Sequence, residues 1–182
     1  MFATLSASAT PIVFNFDADT PGAPNPSDTV GGLTLSVLGA GTVCDVSGDG
    51  FTSLSGNALI TNDCGGTYGG TVLEFSSPLS SLTFDYAISG SDPVGILYLL
   101  DGQFVGVDSL TYTPGDPPSF EGSLTITGLF NDVLFDTGGS SSDYALDNLS
   151  AVVAPVPEPS SIALLATGML GFAGLVRRRF KA

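Results

Sequence analysis

The chain has 182 residues, 18 of them acidic and four basic, for a formal net charge of −14. All four cations lie at or after Arg177, so the chain before that point has no side chain to neutralise phosphates, which excludes nucleic-acid binding. It has no His and no Trp, and its 24 Gly and 12 Pro favour turns and short strands over long helices.

Residues 1–10 lack a basic start and a full apolar stretch, yet Ala7-Ser8-Ala9 fits a signal-peptidase site. This segment reads as the remnant of a signal peptide, with the mature chain starting near Thr10. Residues 11–153 follow as one domain, long enough for a single sizeable core. Its strand candidates, in order, are Ile12–Phe16, Leu33–Val37, Thr71–Phe75, Leu82–Ile88, Val94–Leu100, Gln103–Val107, Leu124–Ile126, Asp132–Phe135 and Tyr144–Val153. Leu82, Phe84, Tyr86 and Ile88 alternate with Ser81, Thr83, Asp85 and Ala87, the pattern of a half-buried strand. Val94–Leu100 is continuously apolar, and Asp101-Gly102 directly after it is a hairpin signal. No window reads as an amphipathic helix, and no fixed-period repeat is present. Short strands and frequent turns predict an all-β sandwich of jelly-roll type.

Residues 154–161 read as a linker holding Val156, Pro157, Glu158 and Pro159. Residues 162–176 form an uncharged apolar run, predicted to be one short transmembrane helix. Residues 177–182 are a basic tip, with Arg177, Arg178, Arg179 and Lys181 as a membrane stop. The positive-inside rule places this tip in the cytoplasm and the acidic domain outside. Both prolines oppose a regular helix, which keeps the segment before the membrane extended and open to an enzyme.

Cys44 and Cys64 are the two cysteines. In an exported chain an even count predicts a disulfide between them. With no His and no third Cys, a zinc site has too few ligands.

Catalytic readings fare poorly. Without His, the commonest general base is missing and a Ser-His-Asp or Cys-His arrangement is impossible. Paired carboxylates from Asp85, Glu74 and Glu121 keep glycoside hydrolysis open as a remote alternative. A lectin-like module is the nearer alternative, with Tyr68, Tyr98, Tyr112 and Phe120 as stacking faces for sugars. Asp45-Val-Ser-Gly-Asp49-Gly50 has oxygen donors at the first, third and fifth loop positions, but Gly56 stands where an EF-hand needs Glu. Asp136 and Asp143 flank another polar loop. The expectation is a non-enzymatic protein.

The order Pro157-Glu158-Pro159, short Gly- and Ala-rich apolar helix, Arg cluster resembles the PEP-CTERM sorting signal. That resemblance covers residues 156–182. It implies recognition by exosortase, a membrane enzyme that removes the tail near the Pro-Glu-Pro motif, in Gram-negative bacteria that make exopolysaccharide and biofilm. The chain would be exported, held briefly in the inner membrane, then surface-bound or extracellular. Phe14-Asn-Phe-Asp17 and Tyr144-Ala-Leu-Asp147-Asn148-Leu149 resemble the first and last strands of jelly-roll modules in carbohydrate-binding and envelope proteins. That second resemblance implies a structural calcium, with Asp147 as first ligand and Asp17 as second. The role implied is structural or adhesive, within biofilm or exopolysaccharide.

Overall fold

The computed structural model describes residues 10–61, 70–89, 93–110, 120–136 and 143–155. Among these residues there is no helix, and ten strands carry the fold: β1 (Ile12–Phe14), β2 (Ser27–Val30), β3 (Leu33–Gly39), β4 (Thr42–Asp45), β5 (Asn57–Ile60), β6 (Thr71–Ser89), β7 (Val94–Leu100), β8 (Gln103–Leu110), β9 (Phe120–Asp136) and β10 (Asp143–Val153). The main strand order is β4-β5-β10-β6-β9-β7-β8, with β1 on β10 and β2-β3 on β6. Every pairing is antiparallel.

Two long strands build both halves. The first part of β6 (71–75) pairs with β3 on one side and the end of β9 on the other. Its second part (79–89) pairs with β10 and the start of β9. The change of neighbours falls where register breaks, between Glu74 and Leu79 and between Leu79 and Ser81. Pro78 stands in that gap, where its missing N–H is not needed by a ladder. On β9 the matching irregularity holds Gly128, whose φ of +136° is disfavoured for any residue with a Cβ.

The sequence predicts four strands where the structure has these two. Ser76, Ser77 and Pro78 break the alternation, and so do Thr127, Gly128 and Leu129, but each break bends the chain without ending the strand.

Inward residues of both halves meet in one core. Leu35, Val37, Leu73, Val133 and Ile96 come from one half, and Leu82, Ile126, Leu146, Leu149 and Ala151 from the other. Ring contacts tie the halves directly. Phe84 meets Phe135 edge-on with centroids 5.5 Å apart, and Phe135 lies 5.3 Å from Tyr144. Phe14 of β1 approaches Phe75 of β6 at 6.3 Å. The all-β expectation holds across the described residues.

Turn chemistry sets the hairpins. Asp101 and Gly102 have φ of +50° and +75°, as a two-residue primed turn between β7 and β8 requires. Gly31 and Gly32 do the same between β2 and β3, a hairpin the sequence reading passed over. β4 and β5 also go unforeseen. Both are four residues long and mostly buried, so no alternation marks them.

No helix among the described residues is long and apolar enough to cross a membrane. The predicted signal remnant, the Pro-Glu-Pro linker beyond Pro155, the apolar run and the basic tip lie outside the described residues.

Phe84→Ala is expected to lower the unfolding free energy by about 3–5 kcal/mol, because it empties the centre of the core. Leu129→Ala, at a residue 48% exposed, should change it by less than about 0.5 kcal/mol. Urea titration of both variants checks this, and comparable losses would contradict the assignment of the core.

Candidate functional site

The outer face of the β5-β10-β6-β9 half carries two chemically distinct rows. Pairing aligns Ile60, Ala145, Ala87 and Glu121 in one row across four strands. It aligns Asp147, Asp85 and Ser123 in the next. Alternation puts both rows on the same face, since residues two apart on a strand share a face.

The segment between β4 and β5 lies over these rows. Val46 and Leu54 pack with Ala58, Ala87 and Ala145 in a small second core, with Phe51 and Ile60 against it. This corrects the reading of Ala87 as a solvent-facing residue: it is 3% exposed because the loop covers it.

Three carboxylates fasten the loop. Glu121 accepts from Thr52 N and Oγ1, both 2.9 Å from a carboxylate oxygen, and from Ser53 N and Oγ, both at 2.6 Å. Asp147 accepts from Ser55 N at 3.3 Å and from Asn148 N at 2.7 Å. Asp17 Oδ1 accepts from Asn57 N at 3.1 Å. Gly56 lies between the last two contacts. Its φ is +68°, and a Cβ there would run into Asp17 Oδ1. Asn148, itself at φ +53° where β10 bulges, donates Nδ2 to Asp85 Oδ2 at 3.1 Å.

With no Lys or Arg in the domain, the carboxylates that hold this loop lean on N–H and O–H donors. The balance differs between sites. Burial pushes the Asp147 carboxyl up, the N–H bonds from Asn148 and Ser55 offset part of this, and the charges of Asp17 and Asp85 push it further up. Burial also pulls Glu121 upward, but its bonds from Ser53 and Thr52 together outweigh this and hold it below the ordinary value. Asp132, on the other half, is raised by burial and by the charges of Glu74 and Asp101.

Asp17 and Asp147, the predicted calcium ligands, do converge on the Ser55–Asn57 segment. Among the described residues, however, no three acidic, His or Cys side chains gather into a group that could hold a metal. Calcium takes six to eight oxygens, and the oxygens here face N–H groups. The described donor set fits a loop clasp better than a calcium shell. Asp45 caps its own loop instead, with Ser47 N at 2.9 Å.

The other candidates separate. Glu74 faces Asp132 on the opposite half and does not meet Asp85 or Glu121. Glu121 is consumed by four donors, so the trio forms no carboxylate pair about an open cleft. Tyr98 lies across Gly106 of the neighbouring strand and 5.7 Å from Phe130, so its ring belongs to the fold. Phe120 starts β9 and is half-buried. Asp136 ends β9 and Asp143 starts β10. Cys44 is buried in β4 and is not a free thiol. Cys64, Tyr68, Tyr112, the Val156–Pro159 motif and the Arg177–Lys181 cluster lie outside the described residues. Sequence reasoning gave Glu121 only a catalytic possibility and missed its structural one. The hint was Thr52-Ser53, a pair of hydroxyl residues in a turn.

Comparison with known proteins adds two findings. Residues 155–179 match the PEP-CTERM protein-sorting motif, which indicates export and sorting to the cell surface through a C-terminal anchor. The described fold is similar to the K2 cleaved adhesin domain of Lys-gingipain, with a TM-score of 0.54 and 13% identity over 79% of this chain and 98% of that one. Family 29 carbohydrate-binding modules also match: one at a TM-score of 0.45, with 18% identity over 82% of this chain and 100% of that one, another at 0.46 and 18% over 80% and 89%. No curated protein matches the sequence. The chain thus carries a PEP-CTERM sorting motif behind an all-β domain whose fold is similar to that of the K2 adhesin domain.

Asp147 and Asp132 favour their neutral forms in the fold, so they add stability as pH falls and lose it as pH rises through their raised values. Glu121 does the reverse, and its contribution is lost as pH falls below the ordinary 4.5 through its lowered value. The thermal midpoint is expected to rise on mild acidification from neutral pH and to drop again once the pH falls below about 4.5. A midpoint that only falls on acidification would contradict these environments.

Proposed function

We propose that this chain is a non-enzymatic protein of the cell surface or extracellular matrix, processed by exosortase, with a structural or adhesive role among exopolysaccharide. The observation that carries the reading is the sorting motif at 155–179, placed directly after an all-β domain. The order is physically coherent. Ala154 N is bonded to Pro78 O at 2.9 Å, so the domain is closed at the residue before the motif begins. An enzyme cutting near Pro157-Glu158-Pro159 would release the domain without unfolding it.

The composition supports an extracellular role of this kind. A domain with carboxylates and no cations stays soluble and self-repelling. Its outward rows offer hydroxyls, such as Thr83 and Thr125, whose Oγ1 atoms are 2.9 Å apart. Those hydroxyls face the same solvent as hydrated polysaccharide. The non-enzymatic part of the reading rests on the side chains. There is no His, the three carboxylates best placed for chemistry are scattered or tied to donors, and Cys44 is not free. A Cys44–Cys64 bridge belongs to the same proposal, since an oxidising compartment favours it.

Removing the chain from its host should weaken cohesion of the matrix, and supplying the wild-type chain should restore it. The purified chain should release no sugar from the host's own polymer. New reducing ends would replace this reading with a glycan-active enzyme. Unchanged cohesion would remove the structural role.

A further inference from the structure

We propose that two copies of this chain pair edge to edge through β8, antiparallel, about a two-fold axis. β8 ends the strand order, and among the described residues its sole sheet partner is β7. Free edges are normally guarded by Lys, Pro or a covering segment. β8 reads Gln103-Phe-Val-Gly-Val-Asp-Ser-Leu110 and has neither Lys nor Pro. It exposes Phe104 and Val107, both 64% accessible, and Val105, 43% accessible.

Two other described edges, β4 and β2, differ. Along β4, Gly22 N and Ala23 O bond Val43, so residues 22–25 cover it. β2 shows Ser27, Asp28 and Thr29 to solvent.

The pattern on β8 fits a second copy of itself. The ladder to β7 shifts between Tyr98 and Leu99, pairing Gly106 with Tyr98 and Phe104 with Leu99, so Val105 is the bulged residue. That extra residue puts Phe104 and Val107, opposite Leu99 and Leu97, on one face. In a symmetric interface, residue i meets j and j meets i. Setting Phe104 against Val107 of the second copy makes two identical apolar pairs. The same register sets Gln103 against Asp108, an amide donor against a carboxylate. Slipping it by two residues one way opposes Asp101 to Asp108, like charge to like. Slipping it the other way opposes Val105 to Asp108. Charge therefore selects the register.

The pairing also extends an existing apolar row. Leu38, Val72, Leu134, Leu97 and Val107 align across β3, β6, β9, β7 and β8 on the outer face. Leu38 is 48% exposed at its far end. In the dimer this row meets Phe104 and Leu99 of the second copy, and the reverse. The anionic domains repel at long range, so association should strengthen as salt screens them.

The inference goes beyond sorting and stands independently of it. The test is sedimentation equilibrium of the full-length chain in density-matched detergent, at low and high salt. Wild type should run at twice the chain mass, more completely at high salt. Val107→Lys installs the guard that natural edges use and should weaken association by about tenfold or more, while its unfolding midpoint, compared with wild type at concentrations where both are monomeric, stays unchanged. Val13→Lys, at an exposed site on β1, should leave the dimer intact. A wild type that is monomeric at both salts overturns the proposal. So does a dimer that survives Val107→Lys, since contact through the tail or another face would then hold it. An uncut tail in the host would overturn the sorting reading and leave this result untouched.

Discussion

Every carboxylate in this domain has to manage without a Lys or Arg partner. No Lys or Arg precedes Arg177, so no ion pair can compensate an acidic side chain that folding draws out of water. Two consequences follow. Cohesion comes from apolar packing, centred where Phe84, Phe135 and Tyr144 stack between the two halves. And acidic groups that do become buried are placed where backbone N–H groups and hydroxyls point at them. Asp147, 1% exposed, is the fully buried case, and Glu121, only partly covered, takes four donors in the same way.

This constraint explains an otherwise odd local design. The loop between β4 and β5 has little apolar content, yet it covers a sheet face that would be partly bare without it. Val46 and Leu54 supply the contact area, and Asp17, Asp147 and Glu121 supply anchors from three separate strands or their flanks. The anchors pull stability in opposite directions with pH. Asp147 costs stability as an anion because it is buried, while Glu121 adds stability as an anion because its donors exceed its burial.

Much of the fold was legible. Val94–Leu100 followed by Asp101-Gly102 announced β7, the turn and β8, since the residues there obey both the strand and the turn rule. Leu82 to Ile88 announced the inner face of β6. The continuity of β6 and β9 was not legible, because Ser76-Ser77-Pro78 and Gly128 look like ends and act as bends. The site was less legible still. Glu121 meets Thr52 across 69 positions and Asp147 meets Ser55 across 92, and no local pattern encodes such partners. The convergence of Asp17 and Asp147 was anticipated from resemblance to jelly-roll modules, although in the described residues they hold a loop. The sorting motif was the most legible part, because its signal lies in one short run of neighbouring residues.

The sorting motif at 155–179 indicates export of this acidic all-β domain to the cell surface, and removal of the tail is the proposed step that follows. Intact-mass measurement of the chain from its host, with membrane and extracellular fractions kept apart, tests this most directly. The account predicts an extracellular species whose mass ends near Pro157-Glu158-Pro159. A full-length chain held in the inner membrane, with nothing outside, would contradict it.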